Sequence, residues 1–343
     1  MKRIGNLHCK ITDRGNVELA DRNARRGKSS NYGVRLHDRN REKNINELIA
    51  AIGDLTIRTS PYTEETICNG AKKRNISKLP YYPDLIRTHA ESQVLAPLWR
   101  KVYPYNTYSC ITGRGISACA ERVKKIIRKY DGKPLYALTT DIQKFYQSID
   151  HETMKQVIRK KLKCDGALAL LDEQIDSHSG MVIGGYLSPQ MANLLLSYLI
   201  HYVNRVMKVD CVEYADDIVY FSDSKQRLRE VLEVVMEYYS EHSLTLKSNW
   251  QIFPIAVNRQ DRNGRALDFI GFKFYRKQTL LRKHIKQNLC RKVARLRKKG
   301  VHGKELRIRI SAWLGWAMAC DSKHLLKTIL KEDYESVLRP KAC

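Results

Sequence analysis

The chain has 343 residues, enough for a large core and, at about 150 residues per unit, roughly two folding units. Hydrophobic residues make up 43 % and charged residues 29 %, a balance that excludes a disordered chain. Lys and Arg number 62 against 36 Asp and Glu, so the net charge is +26, a field that attracts a polyanion and above all nucleic acid. Nine cysteines lie scattered, none in CxxC spacing, so neither a zinc site nor a disulfide framework is expected and a reducing cytoplasm fits. The first residues, Met1-Lys2-Arg3-Ile4-Gly5, lack the apolar run of a signal peptide. The longest apolar stretch, 191–200, is interrupted by Asn193 and Ser197 and is too short to span a membrane.

Residues 1–45 are polar and rich in Arg and Asn, and read as a basic arm that wraps a surface, binds RNA or stays partly disordered. The region 46–134 mixes helix and strand. Leu85, Ile86, His89, Ala90 and Val94 fall near helical spacing within 84–102, and Val123, Ile126 and Ile127 face inward from a helix over 118–128. The β-prone run 135–140 ends at Asp141. Helices are predicted over 151–162 and 188–203. The apolar segments 211–214 and 218–221 flank Ala215-Asp216-Asp217 as a hairpin would. A helix over 225–242 and short strands within 244–254 and 266–274 follow. The tail turns strongly basic: 281–309 is rich in Lys and Arg with Glu305 its single acid. Ile285, Leu289, Val293 and Leu296 recur at helical spacing there, which predicts an amphipathic helix over about 282–299 with a basic face.

The carboxylates carry the chemistry. Nucleotidyl transfer takes two divalent cations about 3.5–4 Å apart, one at the attacking 3′-hydroxyl and one at the triphosphate. Magnesium is held by oxygen ligands, so a protein must converge Asp side chains on one rigid place. Asp141 closes a predicted strand, and Asp216 and Asp217 sit at a predicted hairpin tip 75 residues later. Strand alternation lets only one of the pair share the Asp141 face, which favours Asp216 as the firm ligand and Asp217 as an outer one. An Asp-Asp pair alone is also ordinary turn chemistry. Apolar strands on both sides bring this one close to the core, where repelling carboxylates need a cation.

Four motifs in order resemble those of reverse transcriptases. Tyr214-Ala215-Asp216-Asp217 resembles the Tyr-x-Asp-Asp box. The run 140–151, which begins Thr140-Asp141-Ile142-Gln143-Lys144-Phe145-Tyr146, resembles the first palm motif of the bacterial branch. The run 183–194, which begins Ile183-Gly184-Gly185-Tyr186-Leu187-Ser188-Pro189-Gln190, resembles the next, and Phe269-Ile270-Gly271-Phe272 the primer grip. The resemblance implies an α+β right hand: basic arm 1–45, fingers 46–134, an antiparallel palm 135–280 with a fingers insertion at about 152–182, and a helical thumb 281–343. It implies an RNA-directed DNA polymerase with two Mg2+ ions, replaceable by Mn2+, on Asp141, the Ile142 carbonyl, Asp216 and Asp217. Lys73, Arg74, Ile142, Phe145, Tyr146, Ile183 and Gly184 would meet the dNTP. Tyr146 would be the steric gate against a 2′-OH, and Arg74 a bidentate grip on phosphate. Arg282, Lys283, Lys286 and Arg291 would neutralise template–primer phosphates, with the apolar face of their helix packed on the 313–316 helix.

Within that family the layout resembles the reverse transcriptases of diversity-generating retroelements. The chain stops soon after the thumb, Leu280-Leu281-Arg282-Lys283 and the 311–317 segment resemble theirs, and Ile183 stands where other branches carry Gln, a change associated with error-prone copying of template adenines. That subgroup implies a dedicated template RNA, an RNA/cDNA duplex and a small basic accessory protein, in the cytoplasm of a bacterial host or a phage-infected cell. Two departures stand beside it. Ser188-Pro189-Gln190 is the pattern of intron and retron enzymes, and Trp250 takes the place of a Lys that would be a candidate acid for the pyrophosphate. A retron, intron-like or phage-defence reverse transcriptase, a non-catalytic RNA-binding scaffold and an RNA-dependent RNA polymerase remain alternatives. The absence of an HNH motif or a long maturase extension speaks against a full intron protein, and Tyr146 against the RNA polymerase.

Overall fold

A computed structural model describes residues 3–69 and 72–338. Residues 1, 2 and 339–343, the outer ends of the expected arm and thumb, lie outside the described residues. The fold is α+β. Its chain groups into two compact units, one of residues 1–105, 142–202 and 234–247, the other of 106–141, 203–233 and 248–343. In this grouping 106–134 lie with the main sheet, and 142–202 with the first unit.

The chain opens on four helices, α1 (His8–Ile11), α2 (Arg14–Ala24), α3 (Tyr32–Arg39) and α4 (Arg41–Gly53). The expected arm is therefore folded. Val17, Ala20 and Ala24 recur every three to four residues among the charges and are buried, as are Ile45, Leu48 and Ile52 in α4. Asp13 caps α2 by accepting from Asn16 N at 3.0 Å. The charges that suggested an arm also pair with one another: buried Asp21 accepts from Arg25 and Arg41 at 2.7 and 2.8 Å.

A hairpin of β1 (Thr63–Asn69) and β2 (Lys72–Lys78) follows, then α5 (Ile86–Arg100). β3 (Thr107–Tyr108), α6 (Ile116–Lys129) and β4 (Tyr136–Thr140) belong to the second unit. The short α7 (Phe145–Ser148), α8 (His151–Arg159) and α9 (Asp165–Asp176) belong to the first, and α10 (Ser188–Arg205) starts there.

Arg87 locks the first unit internally. It is fully buried on α5, donates from Nε to Glu91 at 2.9 Å, and reaches across to Glu173 (2.6 Å) and the Leu170 carbonyl (2.8 Å) of α9. Removing one member of a buried ionic set strands the other charges, so Arg87→Met should cost about 3–5 kcal/mol. Urea unfolding measures this. A variant as stable as its parent would show that the set contributes no net stability.

The second unit continues with β5 (Asp210–Tyr214), β6 (Asp217–Ser222), α11 (Lys225–Glu241, whose end returns to the first unit), β7 (Gln251–Pro254), β8 (Leu267–Phe269), β9 (Phe272–Phe274) and β10 (Thr279–Leu281). It ends with α12 (Lys283–Arg297), α13 (Gly303–Met318), α14 (Lys323–Leu330) and α15 (Tyr334–Leu338). Its main sheet has five strands in the order β3-β5-β6-β4-β7. Every neighbour pair in it is antiparallel except β3–β5, where a two-residue edge strand runs parallel. One apolar core unites α6 (Cys119, Val123, Ile126), the sheet (Val212, Val219, Phe221), the small sheet β10-β9-β8 and α12 to α15. No helix among the described residues is long and apolar enough to cross a membrane.

Candidate active site

In the main sheet β4 and β6 are antiparallel, with Thr140 opposite Ile218. Asp141 is the next residue of the chain, so it leaves β4 at the end of the sheet where Asp217 opens β6. β5 and β6 form the predicted hairpin with Tyr214 opposite Asp217, which leaves Ala215 and Asp216 as a two-residue loop. Ala215 has φ +55°, the left-handed backbone that mirror-image hairpin turns demand and that usually selects glycine. Three aspartates, two of them 75 residues from the first or nearly so, thus lie at adjoining strand ends of one sheet. Asp141 and Asp216 are half-buried and Asp217 is exposed. The alternation argument for ranking Asp216 over Asp217 does not apply, because the turn at Ala215 interrupts the strand before Asp216.

Three carboxylates at adjoining strand ends are hard oxygen donors of the type magnesium takes, so the donor set fits such a cation. A tighter grouping lies elsewhere in the second unit: His302, Glu332 and Asp333 have donor atoms within 4.8 Å of one another. Arg297 pairs there with both Glu332 and Asp333, so a guanidinium already supplies the positive charge.

Glu213, one residue before the box, escaped sequence reading; its signal is an acid set between Val212 and Tyr214 in an otherwise apolar run. It is fully buried, its backbone N donates to the Asn106 carbonyl at 3.0 Å, and its carboxylate accepts from the Thr107 hydroxyl at 2.7 Å. Burial pushes its carboxyl up to about 8, with the Thr107 bond opposing. Below the usual value of 4.5 folded and unfolded chains are both protonated; between 4.5 and about 8 only the unfolded chain ionises, so stability falls as pH rises and then levels off. Glu213→Gln should remove this dependence and be the more stable protein at the alkaline end. Urea unfolding of both proteins across that range decides: parallel pH profiles would mean that Glu213 ionises normally.

The residues expected around the dNTP all belong to the first unit. Lys73 and Arg74 are exposed on β2, opposite Cys68 and Ile67. Ser77 N donates to the Ile183 carbonyl at 3.1 Å and Met181 N to the Tyr146 carbonyl at 2.9 Å. These bonds tie β2, the Gly184 loop and α7 together. Gly184 has φ +103°, so the backbone itself requires glycine there. Tyr146 is half-buried beside Phe145, the ring centroids 5.5 Å apart. Phe145 is only 3 % exposed and the Ile142 side chain 1 % exposed, so both are held in the core.

The strand expected over 266–274 is a tight hairpin, β8 and β9, turning at Ile270 and Gly271 with φ +43° and +87°. Phe269 and Phe272 are buried, so of this motif only Ile270 is partly exposed. The turn is braced from behind: a Cβ on Gly271 would sit 2.7 Å from Ile285 of α12. Arg282 N donates to the Gly271 carbonyl at 2.9 Å. The Arg282 side chain is paired with Asp268, whereas Lys283, Lys286 and Arg291 are exposed on α12. Ile285, Leu289, Val293 and Leu296 are buried as predicted; the partner face of α13 is Leu306, Ile310 and Leu314, with Trp313 and Trp316 half-buried at its side.

Residues 86–264 match the family described as "Reverse transcriptase (RNA-dependent DNA polymerase)". No curated protein matches the chain. Solved structures similar to it include telomerase from Candida tropicalis in complex with a TWJ fragment of telomeric RNA, at 13 % identity and TM-score 0.52, covering 80 % of this chain and 55 % of that one. Apo telomerase from Candida tropicalis matches at 11 % identity and TM-score 0.53, covering 82 % and 57 %. The Candida albicans telomerase in complex with the same kind of RNA fragment matches at 10 % identity and TM-score 0.50, covering 80 % and 55 %. The chain thus spans little more than half the length of these structures, and the likeness is one of fold.

Proposed function

The chain belongs to the reverse transcriptase family of RNA-dependent DNA polymerases, and on that premise we propose that it copies a dedicated template RNA into cDNA, with Asp141, Asp216 and Asp217 as its metal-binding carboxylates. The observation that carries this is the register of β4, β5 and β6, which brings three acids from two distant segments to adjoining strand ends. In this reading Asp141 and Asp216 hold both Mg2+ ions, Asp217 stands beside them and the Ile142 carbonyl completes the set. Bound Mg2+ would supply an activated 3′-hydroxyl and a neutralised triphosphate. The protein's own part is placement. Arg74, with Lys73, grips phosphate; Tyr146 lies under the sugar and excludes a ribose; Gly184 and Ile183 line the nucleotide; Ile270 meets the primer; and Lys283, Lys286 and Arg291 track the duplex backbone without reading sequence.

Fingers, palm and thumb are the natural names for β1–α5 with α7–α10, for the five-stranded sheet, and for α12–α15. The RNA-bound telomerase structures are consistent with an RNA template here. Ile183, in place of a polar residue at the nucleotide, supports the diversity-generating reading: losing a polar contact weakens discrimination between bases. With that reading come an accessory basic protein and a bacterial or phage-infected cytoplasm.

Extension of a DNA primer on an RNA template with dNTPs and Mg2+ tests the activity. RNA binding without any product would favour a scaffold. Sequencing cDNA made on co-purified RNA tests the subgroup. Substitutions concentrated at template adenines are expected, and uniform fidelity would favour a retron or defence enzyme.

A further inference from the structure

The segment 178–183, which leads into Gly184, is held in turn by two elements of the first unit, β2 and α7. Its first contact is with β2, where His178 Nε2 lies 3.3 Å from the Ser77 hydroxyl. Its middle lies against α7. A Cβ on Gly180 would sit 2.8 Å from the Gln147 carbonyl, and Met181 N donates to the Tyr146 carbonyl at 2.9 Å. Its end returns to β2, where Ser77 N donates to the Ile183 carbonyl at 3.1 Å. Ser77 therefore grips both ends of the segment, by its side chain at 178 and by its backbone at 183.

The hydrogen bonds of Ser77 also fix where the protons sit. Ser77 stands opposite Glu64 in the β1–β2 hairpin and donates its single hydroxyl proton to the Glu64 carboxylate at 2.6 Å. The hydroxyl then meets His178 as an acceptor, which places a proton on Nε2. Nδ1 of His178 is buried with no hydrogen-bond partner among the described residues, so the bond to Ser77 is what orients the ring. Tyr62 packs edge-on against that ring, centroids 5.2 Å apart, and its hydroxyl lies 2.8 Å from the Ser177 hydroxyl. A strand residue buried only to fill space would be apolar. Ser77 is buried and commits both its hydroxyl and its N–H to this junction.

We propose that Ser77 is a positioning residue for nucleotide selection: by clamping both ends of the 178–183 segment it sets Tyr146 and the Ile183–Gly184 turn relative to the strand that carries Lys73 and Arg74. The inference rests on the reading of these residues as the nucleotide site. Without the hydroxyl, the backbone bond to Ile183 remains and the hold on His178 is lost. The fold survives, and the segment gains freedom where the nucleotide is judged.

Steady-state primer extension at varied dNTP, the ratio of dNTP to rNTP incorporation, and thermal melting test this on four variants: Ser77→Ala, Ser77→Thr, His178→Phe and the Ser77→Ala/His178→Phe double variant. Loss of one hydrogen bond should raise the KM for dNTP about three- to tenfold in Ser77→Ala and in His178→Phe. The preference for dNTPs over rNTPs should narrow in both, with kcat at saturating dNTP little changed. His178→Phe keeps a ring beside Tyr62 and removes the donor, so it decides the matter if Ser77→Ala does not fold. The double variant should be no worse than the more affected single one, because both remove the same bond. Ser77→Thr keeps a hydroxyl on a residue that strands favour, and its KM should stay near the parent's. An active parent whose Ser77→Ala and His178→Phe variants keep its KM and its nucleotide preference overturns this inference alone. So do losses that multiply in the double variant, or a fall in kcat that tracks a lower melting temperature with KM unchanged. A parent that never extends a primer overturns the nucleotide-site reading and this inference with it.

Discussion

Asp216→Asn, and equally Asp141→Asn, should lower primer extension by about a thousandfold or more while leaving the protein folded. The size follows from what the carboxylates do. A loss of that order corresponds to about 4 kcal/mol of transition-state stabilisation, the scale expected when a carboxylate that holds the cation facing a transferring phosphate is removed. Asparagine keeps the shape and an oxygen but not the charge. The repulsion among acids at adjoining strand ends falls as well, so the melting temperature should hold or rise. Asp217 is the exposed member of the set, and its Asn variant should lose less. Single-turnover extension and thermal melting of the three variants provide the check. Unchanged rates for Asp216→Asn, or a loss of activity that tracks unfolding, would remove the turn from the chemistry.

Tyr146→Ala should narrow the preference for dNTPs over rNTPs by about a hundredfold, with dNTP incorporation itself reduced only a fewfold. The backbone that carries the ring is fixed. Its neighbour Phe145 is anchored in the core, and its carbonyl is tied to Met181 N at 2.9 Å. Deleting a ring so fixed opens space for a 2′-hydroxyl without disturbing a charged contact. Incorporation of one dNTP and the matching rNTP by parent and variant measures the ratio. An unchanged ratio would transfer the gate to another residue, and a parent with no preference would revive an RNA polymerase.

The elements legible in the sequence were those with strong periodicity and clear punctuation. The 211–222 hairpin, β4 running into Asp141 and the apolar stripe of α12 all stand where alternation or helical spacing puts them. The N-terminal helices were obscured because Val17, Ala20, Ala24 and Val34 are sparse among charges, and those charges satisfy one another around Asp21 in a way spacing does not reveal. The hairpin of β8 and β9 was hidden because its turn uses Ile270 in a left-handed conformation, where a sequence reader looks for Asn or Gly at both positions. The unit boundaries were out of reach for a different reason. β3 pairs with the distant β5 and α6 packs on the same core, both set by tertiary contact. At the site, residue identity located the acids but not the supports. Glu213 and Thr107 become visible only once β3 lies beside β5.

Asp141, Asp216 and Asp217 are proposed to hold a pair of divalent cations jointly. Titration with Mn2+, followed by electron paramagnetic resonance on the protein bound to an RNA template, a DNA primer and a non-hydrolysable dNTP, counts those ions. Two bound ions with spin–spin coupling between them are predicted for the parent, and loss of the coupled pair for Asp141→Asn and Asp216→Asn. Equal Mn2+ binding by the parent and a variant lacking all three carboxylates would contradict it.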